Sequence, residues 1–112
     1  MVTGERIRES RKLDVSVGEL KFFGRRPSFS EASDLLNAKA NCYDVSRKFI
    51  TGWENVKERH IFPGGSDDNV EFSDDVFNEF ISDSPEVAVA ISDAVLAAFN
   101  AYMSAKETLQ KN

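Results

Sequence analysis

The chain has 112 residues, 41% of them apolar and 29% charged, with a net charge of −5. That length makes one domain, able to bury roughly 65% of the surface of its unfolded form, and the composition lies outside the low-hydrophobicity, high-charge range of disordered chains. One cysteine, Cys42, and one histidine, His60, exclude an internal disulfide and any zinc framework, a usage that fits a reducing cytoplasm.

The charge is unevenly placed. Residues 1 to 26 carry seven Lys and Arg against four Asp and Glu, for +3, whereas residues 27 to 112 carry seven against fifteen, for −8. The first eleven residues read as a flexible basic terminus. Glu5 and Glu9 stand among its arginines and would repel phosphates, so no nucleic-acid partner is expected. The same segment lacks the apolar stretch of a signal peptide, and no unbroken run approaches the 18 or so apolar residues of a membrane span. A chain without membrane association is the expectation.

From Lys12 to Arg25 apolar and polar residues alternate, with Leu13, Val15 and Val17 on one face and Leu20 and Phe22 following a Gly18-Glu19 turn, which predicts a small β-hairpin. Pro27 ends extended structure. Ser28-Phe29-Ser30-Glu31 then has the form of a capping box, so a helix is expected from there. Phe29, Ala32, Leu35, Leu36, Cys42, Val45, Phe49 and Ile50 fall mostly three or four apart, which extends that helix to about Thr51, with Gly52 as its left-handed C-terminal cap.

Trp53 to Phe72 has no helical period, and Pro63-Gly64-Gly65 followed by Ser66-Asp67-Asp68-Asn69 forces turns. Short extended pieces near Val56 and from Val70 to Phe72 are expected to flank this irregular loop. Ser73 is the next N-cap, with Asp74 and Asp75 favouring the helix dipole, and Val76, Phe77, Phe80 and Ile81 form one side of a short helix. Ser84-Pro85-Glu86 repeats the grammar of a helix start, a hydroxyl cap followed by proline and an acid. The last helix, Pro85 to Gln110, would span about 39 Å and carries Val87, Ala88, Ile91, Val95, Ala98, Phe99 and Tyr102 in one stripe. Its alanines permit close approach of a second copy, and residues 106 to 112 are expected to fray. The predicted fold is α+β and mostly helical: two long helices and one short one, with a small N-terminal hairpin and an irregular central loop.

Signals of chemistry are weak. His60 has no nucleophile-elbow or cysteine-centred pattern around it. The acidic turn at Asp67 places Phe72 where an EF-hand loop needs glycine, and Gly64-Gly65 lacks the lysine of a phosphate-binding loop. No enzyme activity, cofactor or metal is expected. The aromatic inventory, nine Phe with Trp53, Tyr43 and Tyr102, points instead to a packed core with some residues left for partner contact. Trp53, Phe72, Phe77, Phe80, Phe99 and Tyr102 are the candidates for either role. Trp53 itself is expected to plug the junction between the first long helix and the turn after it.

The order of these features is similar to one known family. A helix ending in Phe49-Ile50-x-Gly52-Trp53-Glu54-x-Val56, a glycine turn, Val70-x-Phe72-Ser73, a short helix and an acidic Ser-Pro start to an alanine-rich last helix resemble the tail assembly chaperones of long-tailed, siphovirus-type phages and prophages. The upstream Phe22 to Ala32, FFGRRPSFSEA, is similar to that family's Arg-Arg-Pro lead into the first long helix. The chain departs from the family in a longer loop, Lys57 to Asn69.

This resemblance implies a non-enzymatic protein of the bacterial host cytoplasm that binds the tape-measure protein and keeps it soluble until tail-tube subunits polymerise around it. It further implies self-association, and contact with the tail-tube protein through an extended, frameshifted form. The competing expectation is a small acidic adaptor, of phage or bacterial origin, that binds and regulates one host protein.

Overall fold

In a computed structural model, which describes residues 1–111 apart from the side chains of Gln110 and Lys111, six helices accompany a three-stranded antiparallel sheet. The expected hairpin is present as β1 (Lys12–Val17) and β2 (Leu20–Arg25), paired antiparallel from Lys12↔Arg25 to Val17↔Leu20. Gly18, at φ +60°, starts the two-residue loop with the positive dihedral that L residues disfavour. A third strand, β3 (Ile50–Glu54), was not expected; it pairs antiparallel with β2, aligning Phe22 with Trp53. The register shifts between Phe23 and Gly24, and there the backbone comes so close that a Cβ on Gly24 would lie 2.1 Å from the Phe49 carbonyl oxygen.

The single long helix expected between Ser28 and Thr51 is two helices, α2 (Phe29–Asn37) and α3 (Cys42–Phe49). The capping box at Ser28 and Glu31 forms as read. A second box starts α3, where Asn41 and Asp44 exchange side-chain and backbone hydrogen bonds at 3.0 Å. Between them Lys39 takes a left-handed conformation, φ 54°, and reverses the chain without a glycine. Gly52 is therefore no helix cap. It lies inside β3, because the β-branched pair Ile50-Thr51 and Trp53 favour the pleated surface over another helical turn.

Within the basic N-terminus, α1 (Gly4–Glu9) is capped by the Thr3 hydroxyl, which accepts from the Arg6 N–H at 3.1 Å, and every residue in it is exposed. The central loop contains a one-turn helix, α4 (Glu58–Ile61), and closes as foreseen, with the Val70 N–H donating to the Val56 carbonyl at 2.8 Å. Ser73 caps α5 (Asp74–Ser82) through the Val76 N–H. The hydroxyl of Ser84, by contrast, turns back to the Phe80 carbonyl at 2.8 Å rather than capping the last helix.

That helix, α6 (Pro85–Lys111), runs 27 residues and includes residues 106 to 111, where fraying is expected; Asn112 lies outside the described residues. Its first half carries Ala88, Ile91 and Val95 into the core beside Val45 and Phe49 of α3, Phe77 and Ile81 of α5, and Val15 and Phe22 of the sheet. Its second half extends beyond that core. The radius of gyration, 15.7 Å, exceeds the ~13 Å of a compact chain this long, and the molecule measures 56 × 33 × 22 Å.

By length and composition the Pro85–Leu109 helix, with a mean hydropathy of 1.5 over an 18-residue window of which 22% is buried, is apolar enough to cross a membrane. A search for an unbroken apolar run passes over it because Asp93, Lys106 and Glu107 interrupt the pattern. The inner stripe of α6, Ala88, Ile91 and Val95, belongs to the core, whereas Val89, Leu96 and Leu109 of the same helix are exposed.

Candidate functional site

Four of the six singled-out aromatics meet in one cluster. Strand register puts Trp53 on the inner sheet face beside Phe22, and α5 brings up Phe77 and Phe80 from below. Trp53 meets Phe72 and Phe80 edge-on, at centroid distances of 5.3 and 5.7 Å, and Phe22 at 6.4 Å. These are the offset and edge-to-face geometries that aromatic quadrupoles favour. The indole N–H donates to the Val70 carbonyl at 2.8 Å, fixing the segment that returns from the central loop. Phe77 and Phe80 are buried, and Trp53 and Phe72 half-buried. Trp53 thus plugs the core from a strand, not from a helix-to-turn junction.

The lone histidine has a comparable role. His60 Nδ1 accepts from the Lys57 N–H at 2.9 Å, which leaves its proton on Nε2 to donate to Glu19 at the tip of the hairpin. Arg59 bridges Glu19 at 2.9 Å and Asp67 at 2.7 Å. The hydrogen bonds from His60 and Arg59 hold the Glu19 carboxyl below its ordinary pKa. The acidic turn is therefore drawn inward by an arginine, and His60 is a fastener between hairpin and loop. Among the described residues no three His, Cys, Asp or Glu side chains converge as a metal site would require.

Phe99 and Tyr102 lie elsewhere, on the half of α6 that outruns the core. There α6 faces α2, an amphipathic helix none of whose residues is buried. Phe29, Ala32, Leu35 and Leu36 of α2 and Leu96 and Phe99 of α6 line a groove of about 490 Å³. Phe29 meets Phe99 at 6.5 Å between centroids yet stays 67% exposed, and Leu36 is 80% exposed. Large apolar side chains exposed along one groove are a feature of interaction surfaces. Of the groove residues, Phe99 alone was named in advance as a candidate. The signal for the rest is the a/d-like repeat of Phe29, Ala32 and Leu36, whose helical spacing does not by itself say whether the stripe faces the core or a partner.

The first turn of α2 is tied to the sheet. Arg25 of β2 grips Glu31 of α2 in a two-pronged contact, Nη1 to Oε1 at 2.6 Å and Nη2 to Oε2 at 2.7 Å. Chiefly through that hydrogen bonding, with help from the Ser28 N–H and against the cost of burial, the Glu31 pKa falls to about 2. The pair anchors the first turn of α2 to the sheet and leaves its apolar stripe facing α6.

No family model, curated protein or solved structure matches this chain.

Proposed function

We propose that the protein is a phage tail assembly chaperone that binds the tape-measure protein in the bacterial cytoplasm and keeps it soluble during tail assembly. The observation that carries this reading is the open apolar groove between α2 and α6, flanked by Phe29 and Leu36 at 67% and 80% exposure. A long, helical client with apolar repeats would otherwise aggregate. A groove of this kind takes one amphipathic helix face at a time through anchors spaced three, four and seven residues apart.

The two roles divide cleanly on this reading. The Trp53 cluster builds the scaffold, and Phe99 belongs to the client surface. The exposed far end of α6 offers the place for self-association. Co-expression with a tape-measure protein of a siphovirus-type phage, followed by centrifugation, tests the reading: the client stays in the supernatant and co-purifies only when this chain is present. A client equally soluble without it contradicts the proposal and leaves the acidic-adaptor alternative.

A further inference from the structure

The alternation that builds the hairpin continues past its end. The Arg26 N–H donates to the Arg11 carbonyl at 2.8 Å, one pair beyond Lys12↔Arg25, so Arg11 and Arg26 extend the inner face of Leu13, Val15, Leu20 and Phe22. Two arginines thus stand side by side where that face emerges from the core beneath α6. Arg26 is only 8% exposed, and its guanidinium lies flat on the Tyr102 ring, 3.6 Å from the centroid. Its side chain donates to the Pro27 carbonyl at 3.1 Å.

Neither arginine has a carboxylate partner among the described residues, and the Nε–H of Arg11 is buried without a hydrogen-bond partner. Burial foremost, opposed by Tyr102 and reinforced by Arg11, pushes the Arg26 pKa down. A buried arginine beside a half-buried one, with the buried Nε–H of Arg11 unmet, is a costly arrangement unless an anion completes it.

The pair opens into the largest cavity described, about 940 Å³, whose walls add Lys106, Ser28, Ile7, Phe29 and Met103. Glu107 lines it as well. The lining thus combines cationic and hydroxyl groups with apolar side chains.

We propose that this pocket binds a carboxylate carried on a peptide segment with apolar neighbours, held by Arg11 and Arg26 with Lys106 at the rim. Two forked guanidinia suit a planar carboxylate, and the apolar wall suits the residues beside it. A nucleic acid is disfavoured by the net charge of −8 over residues 27 to 112. The inference does not depend on which protein supplies the segment, nor on the tape-measure reading above.

The Nε–H resonances of Arg11 and Arg26 in the full-length protein report the contact directly. The probes are a capped Leu-Glu-Leu tripeptide, its Leu-Gln-Leu counterpart, sodium acetate and inorganic phosphate. The glutamate peptide is expected to shift both signals saturably, and the glutamine peptide to bind at least about tenfold more weakly. The Arg11→Gln variant, which keeps a polar side chain at this half-buried position, should weaken the glutamate peptide at least about fivefold, read on Arg26. Equal binding of the two peptides, phosphate or acetate binding as tightly as the glutamate peptide, or no saturable shift would each overturn the proposal.

Discussion

The indole N–H of Trp53 in β3 donates to the carbonyl oxygen of Val70, 17 residues later, at 2.8 Å. This one bond ties the sheet to the segment that returns from the central loop, and it does so inside an aromatic cluster with Phe22, Phe72, Phe77 and Phe80. Trp53→Phe keeps most of the aromatic surface but strands the Val70 carbonyl, and should cost about 1–2 kcal/mol. Trp53→Ala should cost about 3–5 kcal/mol. Chemical denaturation checks both values; an unchanged midpoint for the alanine variant would show that the indole has no role in the core.

Gly24 is required by space rather than by flexibility. A methyl group there would meet the Phe49 carbonyl oxygen at 2.1 Å, against rigid backbone where β2 and β3 slip register. Gly24→Ala should destabilise the protein by at least about 2 kcal/mol, at the upper part of the overpacking range. Thermal melting decides it, and a variant as stable as the parent would mean that the two strands part without cost.

The Arg25–Glu31 pair makes stability depend on acid. The carboxyl titrates near 2 when folded and near 4.5 when unfolded, so its contribution is complete above about pH 4.5 and is lost as the pH falls through 2. The pair is partly open to water, with side-chain exposures of 36% and 23%, and screening reduces the effect to the order of 1 kcal/mol. Glu31→Gln should flatten the stability profile between pH 4.5 and 2 while lowering stability at pH 7. Parallel profiles for the variant and the parent would place the acid dependence elsewhere.

Leu36 and Phe29 should behave in the opposite way to Trp53. Their side chains are mostly in water, so Leu36→Asp and Phe29→Ser should change folding stability by no more than about 0.5 kcal/mol. If the groove takes an apolar helix, the same changes should weaken client binding at least tenfold, the scale of about 1.4 kcal/mol for one lost anchor. Paired denaturation and pull-down measurements separate the two effects.

Local chemistry was legible in the sequence; breaks between like elements were not. The hairpin, its Gly18-Glu19 loop, the Ser28 and Ser73 caps and the extent of α6 follow from alternation, positive φ and capping residues that act within a few positions. The division of the first long helix was hidden because Lys39 turns the chain with no glycine or proline to announce it. Two signs were present: the apolar spacing lapses between Leu36 and Cys42, and Asn41-x-x-Asp44 is a capping box in other letters. β3 was hidden because Phe49 and Ile50 also satisfy a helical period, and its pairing partner lies almost thirty residues upstream.

The site divides in the same way. That aromatics would supply both core and surface was readable from their number, but assigning each needed the third dimension. Trp53, Phe72, Phe77 and Phe80 converge only because β3 exists, and Phe29 and Leu36 are left exposed only because α2 stops at Asn37 and never enters the core. The arginine pair was legible as alternation, since Arg11 and Arg26 continue the inner positions of the hairpin, yet charge alone assigned that end of the chain to solvent.

The most direct test of the central claim is co-expression of the long helical tape-measure protein with either the parent chain or its Leu36→Asp variant, measuring the fraction of tape measure that remains soluble and bound. The groove account predicts a soluble complex with the parent, and an insoluble tape measure with a variant that is itself folded and soluble. A tape measure held in solution equally well by both, or by neither, would contradict it.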